Sequence, residues 1–437
     1  VLQNLSWFLV AFATTLGVLA VMRYRLSVYE QSLDLKNTLQ EISQEVALGY
    51  FQHCFNKLNE LTFNSFYKAQ IDVLKAQCLL GLGRKEELMD FLKRTLEHYP
   101  ENHTARRMLA KLLVDNGDGK QALDHFKLLK GKHHEDDLLA RATAYYQIQD
   151  YTNCQKLIEA ESKHPHGQLL SLLADALFAQ DHWAIAIDYY KKAENLGWRP
   201  ISQIAKKGQA YLFLHKYQEA EPCFREWLRA NPQNSEGAVG LARCLQCLGQ
   251  YLDSIQILQA FELELSEDVL ANATLGRCYF LTKNYPKATH YLLNAYELNC
   301  SDPITPALAA ISLEKQQQWR HAEAIYQNLI KDHVEHFIGY GGLAYLFAIG
   351  RVKNLTNEHA IEYALKTVEL NPCISSWEIL SASYARCGLF EKAHQIQESL
   401  MKYSADEEAL TKRRDAMRAL RQHKVLEASS ISQLEVI

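Results

Sequence analysis

Cys244 and Cys247 stand three residues apart, an arrangement that serves either zinc ligation or dithiol–disulfide cycling. A structural zinc site needs four ligands, and no second such pair follows. A redox pair needs a helix start behind a strand, whereas both cysteines fall inside a helix-patterned stretch, so packing is the favoured role. His133-His134 followed by Glu135, Asp136 and Asp137, and likewise His164-Pro165-His166, supply ligand types. They sit in turns where adjacent side chains do not converge on one ion. Gly339-Tyr340-Gly341-Gly342 lies in a helical pattern rather than after a strand, and neither G-x-x-x-x-G-K-[ST] nor H-E-x-x-H occurs. No catalytic, cofactor-binding or metal-binding residue is assigned, no cofactor is expected, and the chain reads as a non-enzyme.

The remaining chemistry is charge-assisted binding. Arg107 and Lys111 stand one helical turn apart. Gln209, Arg243 and Arg277 are evenly spaced along the chain, and Lys206 lies beside Gln209. Such groups clamp the carboxylates of an acidic peptide, provided that a regular element recurs at the same interval and turns them to one face.

That element is legible. Small residues recur at Ala76, Ala110, Ala142, Ala174, Gly208, Ala242, Gly276, Ala310, Ala344 and Ser381, most of them separated by the interval that also separates Arg243 from Arg277. A second compact residue follows twelve positions later at Ala122, Cys154, Ala186, Ala220, Ser254, Ala288, Ala322 and Ala393; Leu88 and Ala360 are the departures. Two helices crossing closely need small side chains where they touch, so this recurrence predicts one helical hairpin stacked repeatedly. Residues 201–234 show the unit. Ile204, Gly208 and Tyr211 belong to a first helix (A), His215-Lys216-Tyr217 to the turn, and Ala220 and Phe224 to a second helix (B) that Pro232 follows.

This unit resembles the tetratricopeptide repeat. Leu275, Gly276, Tyr279, Tyr285, Ala288 and Ala295 carry the resemblance in one unit, and Trp377, Leu380, Tyr384, Gly388, Phe390 and Ala393 in another. Unit starts fall at 69, 103, 135, 167, 201, 235, 269, 303, 337 and 374. The resemblance implies an all-α, right-handed superhelical solenoid of about ten hairpins whose A helices line a concave groove. Residues at the ninth place of each unit, among them Lys111, Gln209, Arg243 and Arg277, then face a bound partner. The ninth unit carries an insertion, residues 351–356, expected to be a surface loop.

Residues 5–22 form an eighteen-residue run without charge. As a helix it spans ~27 Å, enough for a hydrocarbon core. Arg23 and Arg25 follow it, which places the repeats on the cytoplasmic side of a membrane. The expected divisions are an anchor at 1–25, a helical linker or degenerate first repeat at 26–68, the repeat array at 69–404, a basic capping helix at 405–424 and a tail at 425–437. Lys412, Arg413, Arg414, Arg418, Arg421 and Lys424 give that last helix its charge, with anionic lipid or an acidic partner as its alternative contact.

With 47 Lys+Arg against 51 Asp+Glu, the chain is not a general nucleic-acid binder. Ten scattered cysteines suit reduced, buried thiols rather than a disulfide framework. The expected function is a membrane-anchored scaffold or adaptor that holds partner proteins at the membrane through its groove for envelope or complex assembly, contacting the bilayer through residues 5–22. The alternatives are a structural subunit of a large membrane-associated complex of the pilus or secretion type, or a chaperone or import receptor. The layout is similar to bacterial inner-membrane tetratricopeptide assembly proteins, but their cysteine-ligated metal domain finds no cysteines after Cys387.

Overall fold

The computed structural model describes residues 21–23, 25, 29, 33–61, 67–129, 135–162, 165–352, 354–403 and 407–431. Among these the regular elements are helices and no strand occurs. The run expected to cross a membrane, residues 5–22, lies outside the described residues except for Val21 and Met22. No helix of the described residues is long and apolar enough to span a bilayer.

The chain forms two compact units, Val1–Trp198 and Arg199–Ile437. In the first, residues 33–47 form a helix that pairs with Phe51–Glu60, and Leu39, Ile42, Cys54 and Leu58 are buried between them. Four hairpins follow: Lys68–Gly81 with Lys85–His98, His103–Asp115 with Gly119–Lys127, Glu135–Gln147 with Tyr151–Glu161, and Gly167–Phe178 with Trp183–Asn195. The second unit holds six: Ile201–Phe213 with Tyr217–Ala230, Ser235–Cys247 with Tyr251–Gln259, Val269–Leu281 with Tyr285–Glu297, Ile304–Lys315 with Trp319–Asp332, Phe337–Ala348 with Asn357–Leu370, and Ile374–Arg386 with Phe390–Leu400. Helix Glu407–Arg421 then packs on Phe390–Leu400.

The small residues sit where helices A and B touch. Ala110 and Ala122, Ala174 and Ala186, and Ala310 and Ala322 have no accessible surface. Where one member is serine, its hydroxyl donates to the carbonyl of the other across the crossing: Ser254 to Ala242 and Ser381 to Ala393, each at 2.9 Å. A Cβ on Gly276 would stand 2.5 Å from Leu292 Cγ, well inside van der Waals contact.

Each A helix ends in a tight turn whose residue is left-handed. The second unit has His215 at φ 57, Lys283 at φ 61 and Gln317 at φ 60 there, and the first has Gln149 at φ 62 and Asp181 at φ 60. Other hairpins place glycine at that position, for example Gly388 at φ 79. The backbone therefore keeps one turn geometry even where the side chain is disfavoured in it. Several A helices begin with a side-chain cap: Asn102 accepts from the Ala105 amide at 3.0 Å, and Asp268 from the Ala271 amide at 2.7 Å.

Two local expectations change. The ninth unit's insertion is not purely a surface loop. Val352 is 7% exposed and joins the hydrophobic core of its unit, Leu355 packs partly against it, and Arg351 lies 5.0 Å from the Trp319 ring. In helix Glu407–Arg421 the buried residues are Arg413, Ala416 and Leu420, with Leu410 and Met417 only half-buried. Arg413 is thus withdrawn from solvent, its guanidinium 3.3 Å from Glu378 Oε1. Beyond this helix, Leu426 and Ile431 are buried in the same terminal core.

Candidate protein-interaction surface

The cations singled out by spacing are placed on A helices, and most of them meet a carboxylate from the start of the next A helix. In the first unit, Arg107 Nε donates to Asp137 Oδ2 at 2.7 Å, and Lys111 Nζ lies 3.2 Å from Asp137 Oδ1. Asp137 has no exposed surface, so both cations neutralise a buried charge. The acidic turn considered for metal binding contributes this residue to packing, while His133, His134 and His164 lie outside the described residues.

In the second unit, Gln209 Nε2 donates to Glu236 Oε1 at 2.7 Å. One Arg277 terminal nitrogen donates to Asp302 Oδ2 at 2.8 Å and to Thr305 Oγ1 at 3.2 Å. Asp302 also accepts from the Ile304 and Thr305 amides, at 2.8 and 3.1 Å. Burial opposes ionisation, but the Thr305 hydroxyl and the Arg277 guanidinium hold the Asp302 carboxyl below its usual range. Lys206 is half-buried on the helix that carries Gln209. Arg243 is half-buried beside Tyr217 and Cys244, and it forms no ion pair among the described residues.

Spacing therefore located the cations but missed the acids that hold them. Their signal is positional: Asp137, Glu236 and Asp302 all fall within the first residues of a repeat or just before it. Long side chains on one A helix reach that place on the next.

The thiols are mostly interior. Burial pushes Cys244 and Cys154 each up to about 12, and Cys78 and Cys278 each up to about 11, so these thiols stay protonated and unreactive near neutrality. Cys247 is exposed on the next turn of the same helix as Cys244. Among the described residues no three His, Cys, Asp or Glu side chains gather as metal ligands.

The sequence profile described as tetratricopeptide repeat matches residues 206–262. No significant match occurs among curated proteins. Similar solved structures include MamA from Desulfovibrio magneticus RS-1, residue 41 to its end (16% identity, 39% of this chain and 96% of that one, TM-score 0.36). The anaphase-promoting-complex tetramer Cut9–Hcn1 is similar at 15% identity, covering 86% of this chain and 81% of that one, with a TM-score of 0.41. Yeast Tom70 is similar at 12% identity, covering 88% of this chain and 94% of that one, with a TM-score of 0.35. Residues 206–262 match that profile and the helical hairpin recurs along the described residues, an all-helical repeat arrangement that resembles tetratricopeptide repeats and suits a protein–protein interaction scaffold.

Proposed function

We propose that this array is a non-catalytic adaptor that binds partner proteins on its A-helix face and holds them at the cytoplasmic surface of a membrane. The observation that carries the binding role is Arg243. It is a cation on an A helix of the second unit with no ion pair among the described residues, between Gln209 and Arg277 on the flanking A helices. An arginine so placed is open to a partner carboxylate, and binding it desolvates little that is already paired. Residues 5–22 support the membrane role through their uncharged length. Confinement to a surface raises the effective concentration of whatever is bound. Within the same reading, helix Glu407–Arg421 caps the array: Ala416, 2% exposed, occupies a close-contact position like those of the preceding A helices.

A photo-crosslinking residue at position 243 is the test, set against one at the exposed Glu219 on a B helix. Partners captured at 243 but not at 219, and lost in Arg243→Glu, support the reading; equal capture at both overturns it. Fractionation checks the membrane role. Deleting residues 1–25 is expected to release the protein from membranes, and retention there would refute the anchor.

A further inference from the structure

We propose that the opposite, B-helix face of the last two repeats carries a second docking site, shaped for an acidic amphipathic helix of a partner protein. A cleft of about 770 Å³ opens between helices Asn357–Leu370 and Phe390–Leu400. Its floor is Trp377, Leu380 and Tyr384, from the A helix that lies beneath both. Four large apolar side chains stand exposed in it beside Lys392, Gln395 and Ser399: Leu365 at 46%, Ile374 at 40%, Trp377 at 38% and Tyr403 at 68% exposure. Apolar groups left in water at one place are the mark of a surface that is covered in use.

The cleft lies in the repeat that follows the ninth unit's insertion. Residues 351–356 lengthen the turn, so the B helix starts only after its Thr356 cap, which accepts from the His359 amide at 3.2 Å. Helices Phe337–Ala348 and Ile374–Arg386 pack along each other more extensively than other consecutive A helices of the second unit. The Arg386 guanidinium fills the space beside Gly350, where φ is +74°. The A layer is thus drawn together beneath the cleft.

Charge selects the occupant. Among the described residues no carboxylate lines the cleft, and the one charged lining residue is Lys392, whose Nζ lies 5.5 Å from the Tyr384 ring. Neither Lys392 nor the exposed Lys402, next to Tyr403, forms an ion pair among the described residues, whereas Lys366 is neutralised by Glu369 at 3.3 Å. An open apolar cleft with ammonium groups at its edge suits a helix that lays one apolar face inward and sets glutamates or aspartates beside it. This site shares no residue with the A-helix face and stands or falls separately from it.

The test uses the full chain and a fluorescein-labelled, end-capped 18-residue helical peptide with leucines at i, i+3, i+4 and i+7 and glutamates on its flanks. A twin carries lysines on those flanks, and vesicles containing phosphatidylglycerol form a third arm. By fluorescence anisotropy the acidic peptide is expected to bind and its twin at least tenfold more weakly. Lys392→Glu with Lys402→Glu is expected to invert that preference, and Leu365→Ser with Tyr403→Ser to abolish both. Equal binding of the two peptides, no effect of the charge reversal, or binding of the vesicles alone would overturn the proposal.

Discussion

The ring of Phe224 fills the space in which Gly240 would carry a side chain: a Cβ at Gly240 would overlap Phe224 Cε1, on the B helix of the preceding repeat. Tyr326 and Gly342 repeat the relationship further along the array, at the same places of their repeats. Where the B-helix position is aliphatic, as at Ile158, Leu258 and Leu292, the partner position holds Leu172, Thr274 and Leu308. At these contacts volume is matched, a large ring against no side chain and a smaller group against a larger one.

Gly240→Ala should therefore cost about 1–3 kcal/mol by overpacking. Phe224→Leu should remove much of that penalty, so the two changes are non-additive. A double-mutant cycle in urea measures the coupling, and strict additivity would contradict the contact.

The left-handed turn residues are a reserve of stability. Lys283→Gly and Gln317→Gly should each stabilise by about 0.5–1 kcal/mol, because glycine adopts φ near +60° without the Cβ clash. Gly388→Ala should do the reverse. Thermal midpoints read all three.

Glu378 and Arg413 are 4% and 5% exposed and tie the last repeat to the helix that follows. Glu378→Ala strands a buried guanidinium and should destabilise by about 3–5 kcal/mol, whereas Glu378→Met with Arg413→Met should fall far short of that. Guanidinium denaturation of the two variants separates the outcomes.

Asp302 sets an acid limit. Its folded carboxyl titrates below the ordinary value of 3.8, so its contribution is complete above that pH and is lost as pH falls through the lowered folded value. Asp302→Asn should flatten the acid limb of the stability profile below pH 3.8 and leave its shape at neutral pH unchanged.

Thiol burial is directly readable. Cys247 should react with a maleimide within minutes at pH 7.5, while Cys54, Cys78, Cys154, Cys244 and Cys278 should react only on unfolding. Mass spectrometry of the labelled peptides distinguishes them, and early modification of Cys244 would contradict its place in the core.

The hairpin was readable without coordinates because its causes are local. Gly208 and Ala220 are twelve residues apart and meet within one hairpin, so their spacing and size suffice to reveal the crossing. The cations were readable for the same reason, since Arg243 and Arg277 inherit their positions from the period. Their partners were not. Arg107 reaches Asp137 across thirty residues, and Arg413 reaches Glu378 across thirty-five; both pairings depend on how one hairpin is laid against the next. The cleft at Trp377 lies further still from the linear pattern, since it is a gap between neighbouring helices. Period and residue size are properties of the chain, whereas side-chain pairing and empty space belong to the packed array, where small changes in helix register decide which groups meet.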